Sequence, residues 1–232
     1  MFLKKKTAVP LEISGIRVRL STRARRMSLR IEARSGEIVL VFPPRGSEKN
    51  AARFIESNRS WIEKQKAKKS ILPRQKIASG TTLSILGQTY IVEHVSGRGL
   101  TRIMNGKIIV HGDLAHLQRR LHDFLKSEAT RILTAATAEK TAVLGLKMAE
   151  VRLRDPKTRW GSCGPDGRIM FSWRLILAPP AVMDYVVAHE VAHRIHMNHS
   201  RKFWTLCASL TTKAAESRRW LKTNSHLLMQ SV

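Results

Sequence analysis

The chain has 232 residues, 43% of them hydrophobic, and a formal net charge of +25 from 42 Lys and Arg against 17 Asp and Glu. This content excludes a wholly disordered chain, and no apolar run approaches the roughly 20 residues that a membrane helix needs. Two widely separated cysteines, Cys163 and Cys207, make no disulfide framework, so a reducing cytoplasm is the expected compartment.

The start, Met1 to Lys6, is basic but lacks the apolar core and cleavage site of a secretory signal. Alternation over Leu11 to Leu20 and Met27 to Ile31, a turn at Ser35-Gly36, and the apolar run Ile38 to Phe42 predict a small antiparallel sheet. Ser47 is placed to cap a helix running to about Lys69, with Ala51, Phe54, Ile55, Trp61 and Ile62 as its apolar stripe. Thr81 to Leu86, Gln88 to Val95 and Lys107 to Val110 read as strands, with Gly87 and the hairpin dipeptide Asn105-Gly106 as turns. No internal repeat is visible. Leucines from Leu114 to Leu133 at three- and four-residue spacing predict a long helix from Asp113 that ends before Gly145. Val151 to Arg154, Arg168 to Phe171 and Trp173 to Leu177 read as strands, with a turn at Pro165-Asp166-Gly167. Pro179-Pro180 opens a helix in which Asp184 complements the dipole and Val187, Val191 and Ile195 form a buried face. Ser200 can cap another helix through Phe203, Trp204, Leu206 and Leu210, and a last helix carries Trp220 and Leu221. The order divides the chain into a β-rich basic part with one helix (1–111) and a mixed, more helical part (112–232).

Charge is unevenly spread, since residues 1–111 hold 23 basic residues and 7 acidic ones. The densest cluster is Arg17, Arg19, Arg23, Arg25, Arg26, Arg30 and Arg34, opposed only by Glu32. Such a field attracts polyanions, which makes non-specific nucleic acid a candidate partner; the bland reading is a solvated surface that favours solubility. No base-reading motif accompanies it.

The chemistry concentrates in His189-Glu190-Val191-Ala192-His193 and His199. Residues four apart share a helix face, so His189 and His193 can point at one metal ion. Glu190 lies roughly 100° around the helix, positioned to act on a water without ligating. Three neutral imidazoles suit zinc, and a catalytic zinc keeps three protein ligands and one open position. For His199 to join, the helix must break at Met197-Asn198, where Asn tolerates the left-handed conformation. His196 and Glu216 are rivals for the third place. Tyr185, four residues before His189, is either a transition-state donor or an ordinary half-buried tyrosine. Arg159 and Arg174 are possible carboxylate or oxyanion binders, Trp160 and Trp173 read as core, and both cysteines read as buried thiols.

Further strings surround the motif: Thr158-Arg159-Trp160-Gly161-Ser162-Cys163, Phe171 to Pro179, Asp184 to His193, and Asn198-His199-Ser200-Arg201-Lys202-Phe203-Trp204. Together they resemble the YgjP-like family of zinc-dependent metallopeptidases, relatives of the SprT-like and WLM groups. The resemblance spans most of the chain. It implies an α+β fold with a zincin-like core (a mixed sheet plus the active-site helix), Zn2+ held by His189, His193 and His199, and Glu190 as catalytic base. A protein or peptide substrate follows, and no membrane association is expected because no spanning run is present. It also implies an edge strand within about Arg168 to Arg174 to which an extended peptide would add. The remaining readings are a zinc hydrolase of a non-peptide substrate and a nucleic-acid-associated binding protein with a structural metal. Glu190 counts against the last, because a structural site does not need it.

Overall fold

A computed structural model describes residues 11–32, 37–69, 77–156 and 158–230. The expected turn at Ser35-Gly36, the start Met1 to Lys6, and Arg34 of the basic cluster lie outside the described residues. The chain divides into two compact units, Met1–Arg74 and Gln75–Val232.

The first unit contains β1 (Glu12–Ile13), β2 (Ile16–Leu20), β3 (Ser28–Ile31), β4 (Ile38–Phe42), α1 (Glu48–Ser57) and α2 (Arg59–Lys69). The alternating stretch expected as one strand is split by a turn at Ser14 and Gly15, whose φ values are 48° and 73°. The sheet order is β1-β2-β4-β3, and β2 pairs with β4 in parallel. The expected antiparallel sheet is therefore mixed, because β2 and β3 run in opposite directions and β4, lying between them, must parallel one of the two. Leu40 and Phe42 bury one sheet face against Ala51 and Ile55 of α1 and Ile62 of α2. Ser47 caps α1 as expected, its hydroxyl accepting from the Asn50 N–H at 3.3 Å. The single helix predicted to Lys69 breaks at Asn58, whose side-chain amide donates to the Phe54 carbonyl at 2.8 Å.

The second unit contains β5 (Thr82–Ile85), β6 (Gln88–Val95), β7 (Arg102–Met104), β8 (Lys107–His111), α3 (Leu117–Val143), β9 (Val151–Arg154), β10 (Gly161–Cys163), β11 (Ile169–Ser172), α4 (Pro180–Ala192), α5 (Arg201–Ser209) and α6 (Ala214–Gln230). One sheet has the order β5-β6-β8-β7, the other β10-β11-β9. Asn105 and Gly106 take φ of 50° and 72°, the paired left-handed turn that their hairpin signal implied. Leu83, Ile85, Val92, Ile108 and Val110 of the first sheet bury in the same cluster as Leu121, Leu125 and Leu133 of α3 and Val187 and Val191 of α4. The division expected between residues 111 and 112 falls inside this unit, since these strands contribute Leu83, Ile85, Val92, Ile108 and Val110 to its core.

Strands β7 and β10 were not anticipated, nor were two larger features. The run Trp173–Leu177, expected as a strand, is a 3-10 turn with all five residues buried. A mostly apolar run of only five residues carries too little periodicity to tell strand from helix. The four-stranded sheets of the two units also share one plan: antiparallel outer pairs, a parallel central pair, and a helix after the last strand. No sequence repeat announces this duplication. The fold is α+β, with a mixed three-stranded sheet beside the motif helix, as expected of a zincin-like core.

Candidate metal centre

The motif helix α4 starts with Pro180 in its first turn, where a missing N–H costs nothing. Nine of its residues are buried on several faces, including Val182, Met183, Val186, Ala188 and Ala192, so it is a core helix rather than a surface one. Asp184 does not serve the dipole as expected. Its carboxylate takes the buried Lys140 ammonium at 2.6 Å, and the same ammonium donates to the Leu210 carbonyl at 2.6 Å, tying α3 to α4 and to the end of α5.

The helix stops earlier than expected. The N–H of Arg194 bonds the Val191 carbonyl at 3.0 Å, and that of Ile195 bonds Ala192 at 3.1 Å, tightening the last turn. The break at Met197-Asn198 is thus a correction: the turn is complete by His196, and Asn198 is not among the positive-φ residues. Ile195 leaves the helical face and is 46% exposed, whereas Val187 and Val191 stay buried. His196 has its own use. Its carbonyl accepts from His193 Nδ1 at 3.0 Å, which leaves His193 Nε2 free to face the centre.

The early break folds His199 back over α4. His189 Nε2 and His199 Nε2 lie 3.1 Å apart, and one nitrogen from each of His189, His193 and His199 falls within 4.8 Å of the others. Nitrogens at about 2.0–2.1 Å from a tetrahedral zinc would stand roughly 3.3 Å apart, so the donor set fits such an ion. His196 and Glu216 are not in this group.

Phe203, the first buried residue of α5, forms the floor. Its ring centroid is 4.4 Å from that of His193, 4.7 Å from His199 and 4.9 Å from His189. Ser200 sets this helix by accepting from the Phe203 N–H. Trp204 adds a wall against His199, at 5.5 Å. His189 Nδ1 is buried with no hydrogen-bond partner among the described residues, so ring packing and the Nε2 contact with His199 hold that imidazole. Burial, then the neighbouring His193 and His199, lower its pKa to about 4 and keep it in the neutral, ligating form.

Glu190 is 5% exposed. Burial raises its pKa to about 7, against the opposing pull of Arg159 and of the Cys163 N–H. Its carboxyl lies directly on Gly161 of β10, where a Cβ would sit 2.6 Å from both Glu190 Cγ and Oε1. Only glycine leaves that room.

The other candidates separate. Tyr185 is buried, with its ring centroid 5.9 Å from His189. Arg174 is withdrawn into structure: its Nε donates to Asp155 at 3.0 Å and its guanidinium lies 4.4 Å over the Trp173 ring. Arg159 is exposed and acts on Glu190 through its charge. Trp173 is core, as expected, and Trp160 packs against the core while its indole N–H donates to Ser225 at 3.0 Å. Burial raises both thiols to about 11, so Cys163 and Cys207 stay protonated. The peptide-accepting edge expected within 168–174 is overturned, because β11 is central in its sheet; the edges are β10 and β9. Sequence reading missed Phe203, Gly161 and Arg218, whose guanidinium sits 4.9 Å over Trp204. The first two lay inside the quoted strings, but nothing in an aromatic or a glycine names its neighbour.

A family model described as YgjP-like, metallopeptidase domain, matches residues 25–224. No curated protein matches. Among solved structures, the chain is similar to the crystal structure of the metallopeptidase zymogen of Pyrococcus abyssi abylysin, at 21% identity and a TM-score of 0.36, covering 39% of this chain and 93% of that one.

Proposed function

The chain belongs to the YgjP-like metallopeptidase family, and from that premise we propose a zinc-dependent peptidase with His189, His193 and His199 as metal ligands and Glu190 as general base. The observation that carries the reading is the convergence of three imidazoles, drawn from α4, its closing turn and the segment before α5, beside a buried carboxyl. Three neutral nitrogens favour zinc over the hard, oxygen-seeking cations. A zinc ion held there would acidify a water and polarise the carbonyl under attack.

The chain's own residues do the rest. Glu190 accepts the proton of the attacking water and returns it to the leaving amine. Gly161 and the Cys163 N–H keep its carboxyl in place. Phe203 holds the three rings from below, and the His196 carbonyl turns His193 toward the centre. Beside Glu190, β10 pairs only with β11 among the described residues, so its free side can hydrogen-bond an extended peptide with little side-chain preference. No helix among the described residues is long and apolar enough to cross a membrane. Two free cysteines fit a reducing cytoplasm.

The test is metal content together with peptide cleavage in the wild-type protein and Glu190→Gln. One bound zinc with cleavage lost supports the assignment; cleavage unchanged in Glu190→Gln removes the base.

A further inference from the structure

The sheet of the first unit has two unlike faces. Leu40 and Phe42 turn toward α1 and α2. The register places Arg17 and Arg30 on either side of Val39, and Arg19 beside Val41, so the three arginines project together from the opposite face. The segment 21–27, which joins β2 to β3, adds Arg23, Arg25 and Arg26, all exposed. Arg17 is compensated by Glu32 and by Glu37, the latter at 3.3 Å. Arg19, Arg23, Arg25, Arg26 and Arg30 form no ion pair among the described residues.

The second unit supplies a comparison inside the same molecule. Its sheet β5–β8 repeats the topology, and on the corresponding face Lys107 of β8 pairs with Glu93 of β6 at 2.7 Å. The architecture by itself therefore does not demand an uncompensated basic face. Five like charges gathered on one face and its adjoining segment repel one another unless a polyanion neutralises them.

We propose that this face binds the phosphate backbone of nucleic acid without sequence preference. Guanidinium forks match paired phosphate oxygens. Ser28, Val39 and Val41 share the face, and the segment reads Ser21-Thr22-Arg23-Ala24-Arg25-Arg26-Met27, so no aromatic ring is present on which a base could stack. Contacts confined to phosphate fix position but read no sequence. Between Arg23 and Arg26 the only apolar residue is Ala24, which gives an anionic bilayer little apolar surface to take in and favours nucleic acid over a membrane surface. The site lies on a different sheet from the metal centre and does not depend on the peptidase reading.

The experiment is fluorescence anisotropy of the full chain with a mixed-sequence 30-nucleotide DNA, single-stranded and duplex, between 50 and 200 mM salt. Five released counterion sites give a slope of log K on log salt of roughly −3 to −5. Replacing Arg23, Arg25 and Arg26 by Gln touches no core residue; it should flatten the slope by about 2 to 3 and weaken binding at least about tenfold. Arg19→Gln with Arg30→Gln should act in the same direction. Replacing Arg98, Arg102 and Lys107 by Gln removes the same number of charges from the second unit and should change affinity less than about twofold. Equal losses in the two triple variants would make the binding a property of net charge and overturn the proposal. So would a wild-type slope shallower than about −1, or capture by phosphatidylserine vesicles that DNA does not compete away.

Discussion

Replacing Gly161 by alanine would put a methyl carbon 2.6 Å from Glu190 Cγ and Oε1 and 2.8 Å from Cδ. Carbon atoms rest at about 3.5–4.0 Å, so the overlap is about 1 Å. Glu190 is 5% exposed and has no solvent space to retreat into, so the carboxyl must move by a comparable distance. A displacement of about 1 Å in a positioned catalytic group costs on the order of 10²-fold in rate, or roughly 2.7 kcal/mol of barrier. The three histidines are untouched, so the proposed zinc stoichiometry of about one should persist, while overpacking should lower stability by about 1–3 kcal/mol. The assay is kcat for peptide hydrolysis, with metal content and thermal midpoint measured on the same samples. Adding Gly161→Ala to Glu190→Gln should bring little further loss, because both act through one carboxylate. A zinc-loaded Gly161→Ala protein with kcat within twofold of wild type would refute the reasoning, since the carboxyl would then not depend on this contact.

Phe203→Leu keeps an apolar residue in the floor but removes the ring that touches all three imidazoles, and should weaken zinc about 10- to 100-fold in chelator competition; unchanged affinity would show that the ring only fills space. His122 is held below its ordinary 6.5 by burial first and then by Lys126 and Arg174. Between that lowered value and 6.5 the unfolded chain binds the extra proton, so stability is complete above 6.5 and falls as pH drops below it. His122→Asn should therefore lose less thermal stability than wild type between about pH 7.5 and 5.5; equal losses would discard the assignment.

Local chemistry was legible. The His189 to His193 spacing, the Ser47 cap and the Asn105-Gly106 hairpin each depend on residues within a turn or two of one another, and each is found where expected. Partnership across the chain was not. Parallel pairing of β2 with β4 and the central place of β11 depend on which strands meet, and alternation along one strand carries no record of its neighbour. The end of α4 was misjudged because His196 acts through its carbonyl, which every residue has. Gly161 and Phe203 matter through what they touch; Glu190 lies 29 positions from the first and 13 from the second.

The doubled sheet plan bears on how the chain becomes folded. Each strand quartet is contiguous, β1 to β4 within residues 12–42 and β5 to β8 within 82–111, so its pairings close short loops and can form early. The segment with the proposed metal ligands comes much later in the chain. His189 and His193 need α4 enclosed by α3 and α6, and His199 needs α5 seated with Phe203 inside. During synthesis from the N-terminus, both quartets are complete before the first histidine of the motif is made. The nascent chain therefore holds both quartets before the segment from His189 to His199, which carries the proposed metal ligands, is made.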